Sequence, residues 1–580
     1  MNQFLLLAAE SPAVPKVGYG ALLALVVFVV GSIWISMLAN YATRSGSFMT
    51  GFFLGNRGLG SWALALTATV QSGGTFMGFP SFVYSHGWVV ALWICGYMVV
   101  PITGFGILGK RIAQLSRMTG AITVPDLFRA RFQSPTLGLV ASLFIIMFMT
   151  SMMIAQFKAG ATVMKLSFPG TDALVLSEDA APTLDRAYYI GLAVFSITVI
   201  GYTLLGGFLA AVWTDLFQSI MMWIGVLFLL VLAILASGGP QAATEAIIAN
   251  PKIGPAYALA PGFNPSSDPN LAGNEFLPIT IAASLFGLWI FTGLGSPAGM
   301  VRIMACKDTG TIRRSIYLLA LYNAGIYIPL VVICVCGRAI LPNIPAKLSD
   351  EIIPRLALHL TADFPAGSFL AGMILAAPFG AVMATVSSYL VVIASGLVRD
   401  IYQRFINPHA NEFQLSRMSY LVMGGVGVVA ILASIKPVQF LQVIVVFSGS
   451  GAAATFMFPA LMMAYWRRTT VPGMLSGMIS GAATVISLYL IEIARGPALK
   501  FIPALAEPVY NLFPRQLIGP AATFRAYYLC GLDPLIWGLA VSGIVGVVVT
   551  LLTKPPSDEV VAKFFEIRET PATPAAGAAA

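Results

Sequence analysis

Long apolar runs, each bounded by a few polar or charged residues, recur from one end of this sequence to the other. A helix needs about 20 apolar residues to cross the hydrocarbon of a bilayer. On that criterion the pattern predicts thirteen spans, near 17–40, 60–85, 88–108, 136–164, 187–204, 213–236, 278–297, 315–341, 367–397, 416–434, 439–466, 472–491 and 533–552. An odd number puts the two ends on opposite sides of the membrane.

Two of these spans are interrupted. Span 2, WALALTATVQSGGTFMGFPSFVY, holds Gln71-Ser72-Gly73-Gly74-Thr75 at its middle. Adjacent glycines each cost about 1 kcal/mol relative to Ala inside a helix. A broken helix in hydrocarbon leaves N–H and C=O groups without partners. Such a break survives only where it is buried in protein or lines a wet cavity. Small residues also let helices approach closely, so the glycines taken alone read equally well as a packing contact. Span 7, ITIAASLFGLWIFTGLGSPAG, is interrupted likewise by Gly287, Gly293, Gly295 and Pro297. The two spans run in opposite directions. Spans 2–6 and 7–11 then form two five-helix halves of opposite topology. Paired discontinuous helices at matching positions predict an inverted-repeat transporter with its site near the midplane.

Composition supports the membrane reading. Hydrophobic residues make up 58% of the 580 and charged ones 9%, against roughly 25% charged in a soluble protein. The net charge of +9 is loop charge and predicts no nucleic-acid partner. Loops after the odd-numbered spans, with the C-terminal tail, hold 19 of the 32 Lys and Arg; the opposite loops hold 11. The richer side should be cytoplasmic. That places the N-terminus outside and the C-terminus inside, in a cell membrane of bacterial inner-membrane type. Cys95, Cys306, Cys334, Cys336 and Cys530 show neither metal-ligand spacing nor a disulfide framework. The first residues, MNQFLLLAAESPAVPK, lack the basic start of a signal peptide. His86, His359 and His409 fall at loops or interfaces and attract no chemistry.

The predicted organisation follows. Residues 1–59 carry the first span and a cytoplasmic loop; 60–236 form the first core repeat; 237–277 are an external loop. Residues 278–466 form the second repeat, 467–552 two peripheral spans, and 553–580 a disordered cytoplasmic tail. Residues 348–362 read as an external amphipathic helix interrupted at Pro354.

At this level of detail the residues resemble a known family. GFFLGNRGLGSWALALTATVQSGGTFMGFP, from Gly51, is similar to the opening core helix of the sodium:solute symporters. So are YTLLGGFLAAVWTDLFQS at 202–219, VRIMACKDTGTIRRS at 301–315 and LAAPFGAVMATVSSYLVVIASGLVRDIY at 375–402. The resemblance spans residues 45–490 and implies an all-α membrane protein with a LeuT-type 5+5 inverted-repeat core, an extra N-terminal helix and an external N-terminus. Within the family, residues 106–134, 337–344 and 369–385 resemble the sodium/pantothenate symporter group. The chain departs from that pattern at Gln71, Gly73 and Gly74. It also has Ser296-Pro297-Ala298 where the family often has Gln or Leu before the proline and His after it.

The resemblance implies a sodium site built from the carbonyls of Ala68, Gln71 and Ala381, with side-chain oxygens at 384 and 385. A hard cation wants oxygen ligands, and Thr385 supplies one. Ala384 stands where the family usually has Ser. Thr385 also reads as a helix hydroxyl bonded to the preceding turn. Asp215, at the inner start of span 6, reads as a helix-start acid or, by resemblance, as part of an inner ion-release path. Gln71, Ser72 and Thr75 of span 2, with Trp289, Phe291 and Thr292 of span 7, predict an apolar pocket with a few orienting hydrogen bonds. Lys158, in span 4, reads either as a snorkelling side chain or as an attractor for an entering carboxylate.

The expectation is therefore a secondary transporter, not an enzyme. It couples sodium entry to uptake of a small organic solute by alternating access, with pantothenate or a similar carboxylate first. Its partners are the solute, the sodium ion and the lipid bilayer. An amino acid, monocarboxylate or sugar as solute, and proton coupling, stay open. A membrane sensor without transport is the alternative of a different class, disfavoured by the short tail.

Overall fold

The structure, a computed structural model, describes residues 17–42, 48–68, 72–170, 186–250, 253, 255–261, 279–436, 441–501 and 525–565. Every regular element among them is helical. Eleven helices are long and apolar enough to cross a bilayer, and a bent pair, Ile279–Gly295 with Pro297–Met304, makes a twelfth. One of the eleven, Gly74–Thr119, is itself two spans. Gly87 takes φ +77°, open at little cost only to a residue without Cβ, and the chain reverses there. The rings of Phe79 and Trp93 lie 6.2 Å apart, whereas fourteen residues of straight helix would separate them by about 21 Å. Thirteen spans result, as the pattern predicts. Gly207, at φ +61°, likewise separates span 5 (Arg186–Leu205) from span 6 (Gly207–Ser237).

Hydrogen bonds between loops establish which ends share a face. Leu59 N donates to Ala305 O (3.1 Å) and Lys307 N to Leu59 O (3.0 Å), joining the loops after spans 1 and 7. Arg57 reaches Ala121 O, after span 3 (2.9 Å). Arg404, in the last turn of span 9, pairs with Asp126 at 2.9 Å. Arg111 reaches Phe564 O, beyond span 13 (2.7 Å), and Arg131 reaches Arg467 O, beyond span 11 (3.4 Å). These segments form one basic face. On the opposite face Gly170 N donates to Val17 O (2.9 Å), Trp88 Nε1 to Thr244 Oγ1 (2.9 Å), and Ser81 meets Ser349 at 2.5 Å. The beginning of span 1 therefore lies opposite the end of span 13.

Packing between the two halves is reciprocal. Span 8 (Thr309–Ile340) packs on both segments of broken span 2, and span 3 packs on broken span 7. Span 4 (Pro135–Ser167) packs on span 11 (Leu441–Tyr465). Correspondingly, span 9 (Gly367–Ile406) packs on span 6: a methyl at Gly225 would meet Ala377, and one at Gly380 would meet Gln218. Each helix thus meets the counterpart of its own counterpart's partner, as a two-fold relation between inverted repeats requires. The fold is the LeuT-type 5+5 core with span 1 added before it and spans 12 and 13 after it.

Two expectations need correction. Pro354 does not interrupt a helix. It is the third residue of Ile352–Thr361, in the first turn, where backbone N–H groups have no intrahelical acceptor to lose. Most of that helix is buried rather than laid on the surface. The tail is not featureless from Pro555, since Asp558–Phe565 is a helix with Phe564 buried. Residues 566–580 lie outside the described residues.

Candidate functional site

Span 2 breaks where its glycines fall. Helix Ser61–Ala68 ends, and helical turns resume at Gly74. Gln71 lies outside the described residues, so its part in either site stays an expectation. The freed backbone on the resuming side finds local and long-range partners. Thr75 N and Phe76 N donate to Ser72 O at 2.9 and 3.3 Å, and Gly74 N donates to Ser72 Oγ at 3.1 Å. Gly73 N donates to Gln156 Oε1 at 2.7 Å, a bond supplied from span 4. A methyl on Gly73 would come within 2.7 Å of Ala159 and 3.4 Å of Val382. The break is therefore wedged between spans 4 and 9, which explains why glycine stands there.

Span 7 bends by 42° between Gly295 and Pro297. Ser296 is extended, and its Oγ accepts from Gly299 N at 3.3 Å, capping the second segment. Both breaks open on one cavity of about 110 Å³, several times the space a single water needs. Ser72, Gly74 and Thr75 line it from span 2, and Thr292, Ser296 and Gly299 from span 7. The N-termini of two half-helices thus face the same space, where their dipoles favour a negative group.

Aromatic rings close the cavity towards the face opposite the basic one. Trp93 stacks on Trp289 at 5.9 Å, Tyr97 lies 5.0 Å from Trp289, and Tyr97 lies 4.3 Å from Tyr327. The Tyr327 hydroxyl meets Thr75 Oγ1 at 3.1 Å. Five of the six predicted pocket residues can be placed. Ser72, Thr75, Trp289 and Thr292 line the cavity, and Phe291 does not. Its ring lies beside Gly287, on the side that also approaches Ile536 of span 13. Tyr97 and Tyr327 also belong to the wall, with no signal in the sequence, and so does Ser296 of the Ser296-Pro297-Ala298 departure.

The residues of the implied sodium site sit beside the same break. Span 9 carries Ala381, Ala384 and Thr385, all buried, within one turn of Val382, which abuts Gly73. Thr385 Oγ1 donates to Ala381 O at 3.0 Å. That is the back-bond a helix hydroxyl makes, and it uses the hydrogen, while a cation binds an oxygen lone pair. The two roles are compatible. Ala384 offers only its carbonyl, which accepts from Ser387 Oγ (3.0 Å) and Ser388 Oγ (2.7 Å). Ala68 is the last residue of its helix, so its carbonyl belongs to the end where partners run out. The donor set is all oxygen, which suits sodium.

Asp215 is not a helix-start acid. It lies well inside span 6, buried, and its Oδ2 accepts from Arg302 Nη2 at 2.5 Å. Ser388 Oγ at 3.2 Å and Ser387 Oγ at 3.4 Å lie within reach of its two oxygens, an alternative to the bond each hydroxyl makes to Ala384 O. Arg302 Nη2 also reaches Ser388 Oγ at 2.6 Å. Arg302 is one of the 19 Lys and Arg assigned to the loops of the basic side by the apolar pattern. The signal available was Pro297, which restarts a helix and carries Arg302 inward on it.

Lys158 neither snorkels nor stands open to a ligand. Its Nζ pairs with Asp350 Oδ2 at 3.1 Å, both side chains being at most a tenth exposed. The same carboxylate oxygen accepts from Leu441 N at 3.2 Å. A charge within an apolar span is tolerated here because an acid from a distant loop meets it.

Two broken helices with facing dipoles, a central cavity and reciprocally packed repeats define a multi-pass membrane transporter. Residues 52–481 match the Sodium:solute symporter family, and the chain belongs to that family. The chain is accordingly a transporter and not an enzyme. It is 30% identical to the sodium/pantothenate symporter of Haemophilus influenzae over 503 residues, 84% of this chain and 94% of that one. Identity to the Escherichia coli sodium/pantothenate symporter is 30% over 478 residues, covering 81% and 91%. A sodium/proline symporter of Staphylococcus aureus is 28% identical over 541 residues, covering 91% and 92%. Among solved structures, a Na+-coupled sialic acid symporter in a substrate-bound outward-open state superposes with TM-score 0.65 at 18% identity, over 93% of this chain and 99% of that one.

Proposed function

We propose that this protein couples the inward flow of sodium to uptake of a small carboxylate-bearing solute, with pantothenate the first candidate. The observation that carries the reading is the meeting of two half-helix N-termini in one aromatic-roofed cavity. Their amides and dipoles suit a carboxylate, while Trp289, Tyr97 and Trp93 suit an apolar or hydroxylated body. Among the described residues, no Lys or Arg side chain lines the cavity, so the helix ends are its source of positive potential there. The 30% identity to two sodium/pantothenate symporters supports the choice of solute.

Sodium is held, in this reading, by Ala68, Gln71 and Ala381 carbonyls with Thr385 Oγ1, Ala384 lacking the hydroxyl that would complete the set. Asp215 lies between that site and the basic face and provides a carboxylate on the release path. The basic face is cytoplasmic by the distribution of Lys and Arg, with the N-terminus outside. The aromatic roof then closes the external side.

The test is uptake of labelled pantothenate into proteoliposomes with and without an inward sodium gradient. Sodium-dependent accumulation, competed by unlabelled pantothenate, is the expected result. Accumulation driven by a proton gradient alone would transfer the coupling to protons. Competition by proline or sugars without effect of pantothenate would overturn the solute.

A further inference from the structure

On the basic face, three guanidinium groups surround one phenyl ring. Arg111, Arg131 and Arg467 place their central carbons 5.0, 5.2 and 5.6 Å from the centre of Phe565. They come from span 3, from the helix Val124–Phe132 and from the segment after span 11. Arg131 also lies 5.3 Å from the Phe564 ring. Among the described residues, none of the three has a carboxylate within ion-pairing distance. Arg131 is fully buried, and its Nε and Nη1 have no hydrogen-bond partner.

Physical chemistry makes this arrangement incomplete. A cation over a phenyl ring gains about 0.5–2 kcal/mol, but three like charges around one ring repel one another. The helix adds a single charge-assisted bond, Arg111 Nη2 to Phe564 O at 2.7 Å. Burial, and after it the Arg111 charge, pushes the Arg131 guanidinium down to about 10, so it stays charged at neutral pH. Among the described residues, the cluster holds more positive charge than its covering neutralises.

That covering is weakly held. Asp558–Phe565 is helical over the eight residues described, and only Phe564 among them is buried. It joins span 13 through Lys554-Pro555-Pro556-Ser557, which is not helical. Arg467, exposed at the rim, leaves an approach to the cluster.

The geometry points to a binding site for a phosphate-bearing anion formed by Arg111, Arg131 and Arg467, with Phe564 and Phe565 as the internal plug that the anion displaces. Guanidinium forks match phosphate oxygens bidentately, and a phosphate would satisfy the two orphaned Arg131 donors that the rings leave unpaired. The source is a lipid headgroup of the adjoining leaflet or free phosphate; the chemistry is common to both.

The experiment uses full-length protein in phosphatidylcholine nanodiscs and follows amide hydrogen exchange of residues 558–565. Exchange there should rise about tenfold when phosphatidylglycerol is included or inorganic phosphate is added, tenfold being the loss of about one charge-assisted contact. Response to phosphate alone identifies the free anion, and response to phosphatidylglycerol alone identifies the lipid. Phe564→Ala with Phe565→Ala should tighten anion binding about tenfold, and Arg131→Gln should weaken it as much. Arg467→Gln, at the exposed rim, repeats the test without touching a buried position. Unchanged exchange in both arms overturns the proposal. So does an equal response to chloride at the same ionic strength, or full binding by both arginine variants.

Discussion

Arg302 Nη2 and Asp215 Oδ2 lie 2.5 Å apart, joining the inner segment of broken span 7 to span 6 across the two repeats. Both side chains are at most 3% exposed. Breaking such a pair from one side leaves an uncompensated buried charge, which costs about 3–5 kcal/mol. Asp215→Asn should therefore lower the unfolding temperature of the purified protein. Adding Arg302→Met to it should restore part of the loss. Equal unfolding temperatures for the wild type and Asp215→Asn would show that the pair adds nothing to stability.

Lys158 and Asp350 are 192 positions apart in sequence and tie span 4 to the loop before helix Ile352–Thr361. Lys158→Ala should destabilise by about 3–5 kcal/mol through the stranded carboxylate. Asp350→Asn retains an oxygen for Leu441 N, so it should cost less than Asp350→Ala. A double-mutant cycle in chemical denaturation reads the coupling directly. An interaction energy near zero between the two positions would remove the pair as a tether.

What could be read from the sequence was local. Span lengths follow from apolar runs, and both breaks follow from Gly and Pro within a few residues. Partners were illegible because they are distant. Gln156 meets Gly73 from 83 positions away, and Arg302 meets Asp215 from 87. No periodicity in one segment announces a bond to another. Phe291 is different, since the error there was avoidable. Residues 289 and 292 are three apart and share a helix face, whereas 291 is two from 289 and lies across the helix.

That difference is testable in transport. Trp289→Ala removes a ring that stacks on Trp93 and touches Tyr97. It should raise the KM for solute uptake at least about tenfold, since an aromatic contact with its buried area is worth more than about 1.4 kcal/mol. Phe291→Ala, outside the cavity wall, should leave KM within about twofold while lowering stability. The same KM shift for both variants would put Phe291 on the cavity wall as well.

The proposed sodium site gives the sharpest case, because one of the oxygens the family resemblance implies is absent. Thr385 Oγ1 already donates its hydrogen to Ala381 O, so its lone pairs are oriented away from that carbonyl. Thr385→Ser keeps the oxygen and should keep sodium-stimulated uptake. Thr385→Ala should abolish the stimulation, with membrane abundance unchanged. A lost polar contact is worth about 1–3 kcal/mol, or roughly one to two decades in affinity. Ala384 lacks such a contact, and its carbonyl is already engaged by Ser387 and Ser388. Ala384→Ser should then lower the sodium concentration for half-maximal uptake by about one decade. Position 384 is buried, at 4% exposed, so the abundance of the folded variant in the membrane is measured alongside uptake to separate a packing cost from the gain. Sodium dependence untouched by Thr385→Ala and by Ala384→Ser alike would place the cation elsewhere and make proton coupling the better account.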